Sequence, residues 1–348
     1  MQIGSRTIGK NHPPFIIAEL SGNHNQSIDN ALKLVQAAAD CGVDAIKLQT
    51  FTPDSMTLNL SSEDFIITDQ KSNWYNQQLY ELYKKAYTPW EWHETIFNEA
   101  KNLGLEFFSS PFDLEAVDFL DDLSVTAFKI ASFENNHIPL IEKAASTGKP
   151  MIISTGMASV AEIDMAVSTA REAGCDDLTL LKCTSSYPAD PSYSNISTIP
   201  HLRELFNAEV GISDHTLGIG VSIASVSFGA TIIEKHFTLC RDDGGVDSAF
   251  SLEPEEMKLL VNETKNAWKS IGKIQYGASK IEQSNSKFRR SIYISQDIKA
   301  GERFSDKNLV IIRPAKGENP SFFNKIIGKV CPKDIKAGTP LKLDNLLS

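Results

Sequence analysis

The sequence predicts a (β/α)8 TIM barrel followed by a small, β-rich C-terminal domain. Eight short β-branched or apolar runs, each followed by a helical pattern, fill the first ~270 residues, which is the arithmetic of that barrel. The alternation stops at a polar stretch after Gly272, and the remainder carries a duplicated Asp-Ile-Lys-Ala-Gly turn. A doubly wound open sheet would give much the same string, and the count of eight favours the barrel.

The predicted strands are Phe15 to Glu19, Ala45 to Gln49, Leu105 to Ser109, Ala127 to Ala131, Met151 to Ser154, Leu178 to Cys183, Glu209 to Ile212 and Thr231 to Lys235. Between the first two, Ile28, Ala31, Leu32, Val35 and Ala39 share one helical face, with Ser27 placed to cap the start and Gly42 to end it. Thr88 and Pro89 open a helix that stops at Gly104, Ser159 opens one that stops at Gly174, and Glu253 to Ile271 reads as a long last helix. The segment from Thr50 to Tyr87 is too long for an ordinary βα loop and is predicted as a packed lid or inserted hairpin.

The predicted organisation is therefore a barrel over residues 1–272, a linker over 273–287 and a second domain over 288–348. In that tail Asp297 to Gly301, then Asn308-Leu309, recurs as Asp334 to Gly338, then Asn345-Leu346. Duplication of a turn points to a small pseudo-symmetric β unit.

Hydrophobic residues make up 41% and charged residues 22%, a balance that excludes disordered and fibrous classes. The net charge of −10 argues against nucleic acid as the main partner. With neither a basic start before an apolar run nor a membrane-length apolar stretch, the expected location is the cytoplasm, without membrane attachment. The five cysteines show no CxxC pair and are expected to be reduced core residues. Gly218-Ile219-Gly220 lacks the third glycine of a dinucleotide fingerprint and no phosphate-binding GxxxxGK[ST] occurs, so NAD and ATP are poorly supported.

Chemistry in such a barrel belongs at the C-terminal ends of the strands, and these ends are polar: Glu19, Lys47, Gln49, Ser109, Ser110, Lys129, Ser132, Glu134, Ser154, Thr184 to Ser186, Ser213, His215, Lys235 and His236. Each alone has an ordinary explanation as a cap or a snorkelling chain. Lys47 and Lys129 inside apolar strands, however, would be costly without an anion, and with the surrounding hydroxyls they point to a phosphate and a carboxylate bound together. His215 and His236, on neighbouring strand ends, are candidate ligands of a divalent metal completed by water and substrate oxygens, which favours Mn²⁺, Mg²⁺ or Co²⁺ over structural zinc. His24 is a further candidate. A Schiff-base aldolase or lyase using Lys129 or Lys235, and a catalytically idle carbohydrate-binding module, are the competing classes.

The motifs resemble the sialic acid synthase family, which condenses phosphoenolpyruvate (PEP) with an amino sugar. The resemblance rests on Ile17 to Asn25, Lys47-Leu48-Gln49-Thr50, Ser110-Pro111-Phe112-Asp113, Lys129-Ile130-Ala131-Ser132, Ser154-Thr155-Gly156-Met157, Ser213-Asp214-His215-Thr216, Glu234 to Thr238 and Ser251 to Pro254, in order through the barrel. Ile312-Arg313-Pro314 makes the tail similar to the antifreeze-like SAF domain, a β-clip, that ends these synthases. Glu19-Leu20-Ser21-Gly22, Ser109 before Ser110-Pro111, Tyr87 to Trp92, the serine at Ser185 and the run Asp247 to Pro254 resemble the pseudaminate branch rather than the neuraminate one.

The resemblance implies condensation of PEP with 2,4-diacetamido-2,4,6-trideoxy-L-altrose and water, giving pseudaminate and phosphate, with neuraminate or legionaminate synthesis as alternatives within the family. It implies that PEP is held by Lys47, Ser110, Lys129, Ser132, Ser154, Ser185 and Ser213, with His215 and His236 binding the metal, Mn²⁺ foremost. Glu19 would activate water or stabilise positive charge. Gln49, Glu134, Tyr187, Asp247 and Arg313 would meet the sugar, Arg313 reaching across a domain-swapped homodimer.

Overall fold

The computed structural model describes residues 1–70 and 72–343. The chain divides into two compact units, Met1–Gly272 and a second beginning at Lys273. In the first, eight parallel strands close into a barrel: β1 (Phe15–Glu19), β2 (Ala45–Thr50), β3 (Glu106–Pro111), β4 (Phe128–Ile130), β5 (Met151–Ser154), β6 (Leu178–Cys183), β7 (Glu209–Ser213) and β8 (Ile232–His236). Closure is made by β8 pairing in parallel with β1, His236 opposite Glu19. The open-sheet alternative is thereby removed. The predicted strand ends move by one or two residues: Ser110 lies within β3 rather than after it, and His236 within β8.

Each strand is followed by its helix: α1 (Ile28–Cys41), α2 (His93–Asn102), α3 (Leu114–Asp122), α4 (Ile138–Ser146), α5 (Val160–Glu172), α6 (Thr198–Phe206), α7 (Gly220–Ser227) and α8 (Pro254–Ile271). The local chemistry sets these boundaries. Ser27 accepts from the Asn30 amide at 3.3 Å to begin α1, and Gly42 ends it at φ 80°, a left-handed conformation that favours glycine. Ser159 and Glu162 form a reciprocal capping box on α5, as Glu253 and Glu256 do on α8. The buried face of α1 is Ala31, Leu34, Val35, Ala38 and Cys41. It is rotated slightly from the predicted stripe because α1 packs against both α8 and α2, leaving Leu32 and Ala39 half-buried.

The long segment after β2 holds two short helices, Pro53–Met56 and Leu79–Ala86, tied by a single bridge between Ile66 and Gln78 rather than by hairpin strands. Its Trp74 donates to the Val246 carbonyl at 3.0 Å and packs on Tyr187 and Phe250, while Asn73 donates to the Tyr187 carbonyl. It therefore covers part of the strand-end face. Four of the five cysteines are buried and Cys240 is half-buried, a small departure from the expected all-core set. Among the described residues no helix is long and apolar enough to cross a membrane.

The second unit has its own core, with Ile292, Ile294, Phe304, Leu309, Ile326 and Leu341 in it. The antiparallel strands β9 (Ser291–Ile294) and β10 (Leu309–Ile312) form its sheet, and the predicted linker ends in a 3-10 turn, Glu282–Phe288. The sequence duplication has a physical counterpart. Ile298 and Ile335 exchange both backbone hydrogen bonds at 2.9 Å. Asp297 accepts from Lys336 Nζ and the Ala337 amide, while Asp334 accepts from Lys299 Nζ and the Ala300 amide. Each copy of the turn thus caps the other about a local two-fold. Asn345 and Leu346 of the second copy lie outside the described residues.

Candidate active site

Side chains on a strand alternate between barrel interior and helix layer, so register decides which polar groups meet. Glu19 on β1 sits opposite Lys47 on β2, and the two form an ion pair in the interior. Gln49, two residues on, donates to Glu19 Oε1 at 3.1 Å, and Lys47 Nζ reaches Ser110 Oγ on β3 at 3.4 Å. Lys129 on β4 donates to Ser154 Oγ on β5 at 2.7 Å and to the Ile130 carbonyl at 2.9 Å. Both lysines are buried, as are Ser110, Ser132, Ser154 and Ser213.

Ser132 and Ser185 converge on Gly156, whose amide donates to Ser132 Oγ at 3.3 Å. A Cβ at position 156 would lie 2.2 Å from Ser185 Oγ and 2.6 Å from Ser132 Oγ, so glycine is required to bring the two hydroxyls to one backbone segment. The structure thus brings together Lys47, Ser110, Lys129, Ser154, Ser132 and Ser185 around the strand ends of β2 to β6.

The interior also holds an acid absent from the predicted set, Glu234 on β8. It accepts from Ser213 Oγ at 3.0 Å and lies 3.9 Å from Lys47 Nζ. Burial works to raise its pKa, but Lys129 and Lys47 more than offset this and hold it below the usual carboxylate range. Burial likewise works to lower that of Lys47, and Glu19 and Glu234 outweigh it, whereas for Lys129 burial prevails and the pKa falls. Glu19, whose desolvation is opposed by Lys47, is pushed up to about 7. Two ammonium groups thus face one firmly ionised acid and one near neutrality, a balance that leaves positive charge for an incoming anion. The signal for Glu234 lay in Ile-Ile-Glu-Lys-His, where alternation points Glu234 and His236 the same way and Lys235 the other.

The ring centroids of His215 and His236 are 5.4 Å apart. His215 Nδ1 lies 3.0 Å from the Thr184 carbonyl, an acceptor that fixes the proton on Nδ1 and leaves the Nε2 lone pair available. Cys183, also unforeseen, places its sulfur 3.8 Å from the same nitrogen. His236 Nδ1 is buried without a hydrogen-bond partner among the described residues, with Asp247 Oδ2 at 3.8 Å. Burial, with His215 and the ammonium groups of Lys47, Lys235 and Lys129 nearby, holds the His236 pKa well below its ordinary range. Two imidazoles, one with a buried and unpartnered nitrogen, fit a divalent cation only if its remaining positions are filled from outside the protein, since no group of three or more potential ligands occurs among the described residues. Tyr187 packs on His215 at 4.4 Å, and Phe250 closes the cluster against His236 at 5.0 Å.

Glu134 lies on the 3-10 turn after β4, with a buried Oε2 that has no hydrogen-bond partner among the described residues. Burial pushes its pKa up to about 7, opposed by Lys129. Two predicted candidates lie elsewhere. His24 is engaged at both nitrogens, by the Gln26 amide and Thr88 Oγ1, and packs on Trp92, so it serves the structure rather than joining the other two histidines. Lys235 faces the helix layer, paired with Asp214, which removes it as a nucleophile in the barrel. Arg313 is exposed on the second unit, directly after β10.

The family model for NeuB matches residues 34–276, and that for the SAF domain matches residues 289–347. The chain belongs to the NeuB family. Within it, the chain is 44% identical over 342 residues to the pseudaminic acid synthase of Campylobacter jejuni, with 98% of each chain covered. It is 41% identical to the pseudaminic acid synthase of Helicobacter pylori, over 96% of this chain and 98% of that one. Among solved structures, the N-acetylneuraminic acid synthetase of Leptospira borgpetersenii in complex with citrate superposes with a TM-score of 0.72 at 32% identity, covering 82% of this chain and 94% of that one. The NeuB and SAF matches bear out the resemblance read from the motifs, and the family is one of enzymes.

Proposed function

We propose that this NeuB-family protein is a cytoplasmic pseudaminic acid synthase, a transferase that joins PEP to 2,4-diacetamido-2,4,6-trideoxy-L-altrose with release of phosphate. The observation that carries the reading is the pair of buried lysines among strand-end hydroxyls beside two available imidazoles; the near-full-length likeness to two pseudaminic acid synthases supports the choice of acceptor. Lys129, Ser154, Ser132, Ser185 and Ser213 hold the phosphate, and Lys47 with Ser110 holds the carboxylate. His215 and His236 hold a divalent metal, Mn²⁺ foremost with Mg²⁺ or Co²⁺ as alternatives, which when bound supplies Lewis acidity to the aldehyde oxygen of the open-chain sugar.

The chain's own residues do the remainder. Gln49, Glu134, Tyr187 and Asp247 orient the acceptor so that its aldehyde carbon faces the PEP methylene. As the carbon–carbon bond forms, positive charge develops on the former enol carbon, which the Glu19 and Glu234 carboxylates beside Lys47 would stabilise. Glu19, poised near neutrality, takes one proton from the water that adds to that carbon, the alkoxide left from the aldehyde takes up a proton, and the carbon–oxygen bond to phosphate breaks as the added hydroxyl loses its proton and becomes the keto group. A homodimer in which Arg313 of one subunit meets the sugar in the barrel of its partner completes the reading. Replacement of Arg313 by Ala is then expected to raise the acceptor KM about tenfold, the loss of one charged hydrogen bond, with PEP KM unchanged. An unchanged acceptor KM would remove Arg313 from the site.

Phosphate release from PEP with Mn²⁺, compared for the altrose, N-acetylmannosamine and the legionaminate precursor, tests the assignment. Release with the altrose alone establishes the acceptor; release with another sugar alone keeps the family and replaces the acceptor. Glu134 offers a second check through pH. Its folded-state pKa is raised, so the folded protein holds this proton as pH rises from about 4.5 to about 7, and the stability tied to it is lost over that window. Acceptor KM is expected to change with a midpoint near 7, and Glu134→Gln to remove that dependence. A midpoint that survives in Glu134→Gln assigns the titration elsewhere.

A further inference from the structure

The two candidate metal ligands stand on adjacent strand ends, and the residue next to each belongs to one buried ion pair. Lys235, between Glu234 and His236, turns away from the barrel interior; Asp214, between Ser213 and His215, turns the same way. Lys235 Nζ lies 3.2 Å from Asp214 Oδ2, and each side chain is 1% exposed. The carboxylate has no free capacity. It accepts from the Thr216 amide at 2.9 Å, Thr216 Oγ1 at 2.7 Å and Ser222 Oγ at 2.6 Å in addition to Lys235. Lys235 also donates to the Thr216 carbonyl. One carboxylate and one ammonium thereby tie together β7, β8, the turn directly after His215 and, through Ser222, the first turn of α7.

This arrangement matters because the rings themselves are unequally restrained. His215 is oriented by the Thr184 carbonyl, whereas His236 Nδ1 has no hydrogen-bond partner among the described residues, so the ring is placed by packing on Phe250 and by the strand that carries it. A buried ion pair is a weak source of net stability compared with an apolar replacement, which leaves fixing of geometry as its use here. We infer that Asp214 and Lys235 are positioning residues that set the spacing of His215 and His236 from outside the barrel wall, so that both imidazoles meet one divalent cation. The inference rests on the metal reading above. Lys235 touches neither substrate nor metal; it acts through the strand.

The test is titration of metal-free, full-length protein with Co²⁺, following calorimetric affinity and the visible absorption of the bound ion. Wild type is compared with Asp214→Asn, Lys235→Met, Lys235→Arg and the milder Ser222→Ala, which deletes a single donor. Asp214→Asn and Lys235→Met are expected to bind Co²⁺ at least about tenfold more weakly, with an altered spectrum, while PEP affinity of the metal-free protein is unchanged. Lys235→Arg should recover most of the affinity, and Ser222→Ala should move it in the same direction by less. If either severe variant fails to fold, the Ser222→Ala and Lys235→Arg comparison decides. Wild-type affinity and spectrum in every folded variant would overturn the positioning role alone. No Co²⁺ binding by wild type, or undiminished binding in His215→Ala and His236→Ala, would instead overturn the metal reading and this inference with it.

Discussion

Lys129→Met is expected to lower kcat/KM for PEP by about 10³-fold while the protein stays folded. The ammonium is buried, donates to Ser154 Oγ and the Ile130 carbonyl, and burial lowers its pKa despite the pull of Glu234. Such a group is tolerated where it awaits an anion, and loss of one preorganised charged donor in a closed site costs about 3 to 4 kcal/mol of transition-state stabilisation. Folding is expected to lose some stability, because Glu234 loses one of its two compensating charges, while Lys47 at 3.9 Å and a methionine chain of similar length limit the cost. Phosphate-release kinetics together with a thermal melt measure both effects. A variant with wild-type kcat/KM would place the phosphate elsewhere. Borohydride with a keto acid tests the competing lyase chemistry at Lys129: covalent trapping of wild type, lost in Lys129→Met, would replace the synthase mechanism with a Schiff base.

The second large effect concerns the imidazoles. Either His215→Ala or His236→Ala is expected to abolish metal-dependent turnover, a loss of several kcal/mol and hence about 10³-fold or more, with little change in melting temperature. Both rings are buried at the strand-end face against Tyr187 and Phe250, outside the apolar core formed by residues such as Ile17, Phe108, Ile152 and Ile233, so their removal leaves that core intact. The assay compares chelated protein before and after Mn²⁺ is restored. Wild type should lose and regain activity, and the variants should show neither change. Full turnover by either variant in chelated buffer would end the assignment of these two residues.

Much of this was legible because it is local. The helix caps Ser27 and Ser159, the Gly42 terminator and the apolar strand runs are decided within a few residues, and the structure places elements where these signals do. The lysines within β2 and β4 called for a counter-charge for a similarly local reason, since each interrupts an apolar strand, and for Lys47 Glu19 and Glu234 supply it. The cost of burying an unpaired charge does not depend on knowing its neighbours.

The repeated strand-helix unit, the strand-end polarity and the duplicated tail turn, whose two copies share one chemistry, are written in the chain itself. The encounters between side chains are set by barrel closure. Glu234 became the counter-charge of Lys47 because β8 closes against β1 in a register that no local pattern encodes. Lys235, adjacent in sequence to two inward-facing groups, was turned outward to Asp214 by the two-residue period of the strand. His24, chemically equal to His215 and His236, was claimed by Thr88 and the Gln26 amide instead. A residue's type and spacing follow from the chain, but its charge state and partners depend on which strands become neighbours and how far water is excluded between them, and those are properties of the closed barrel.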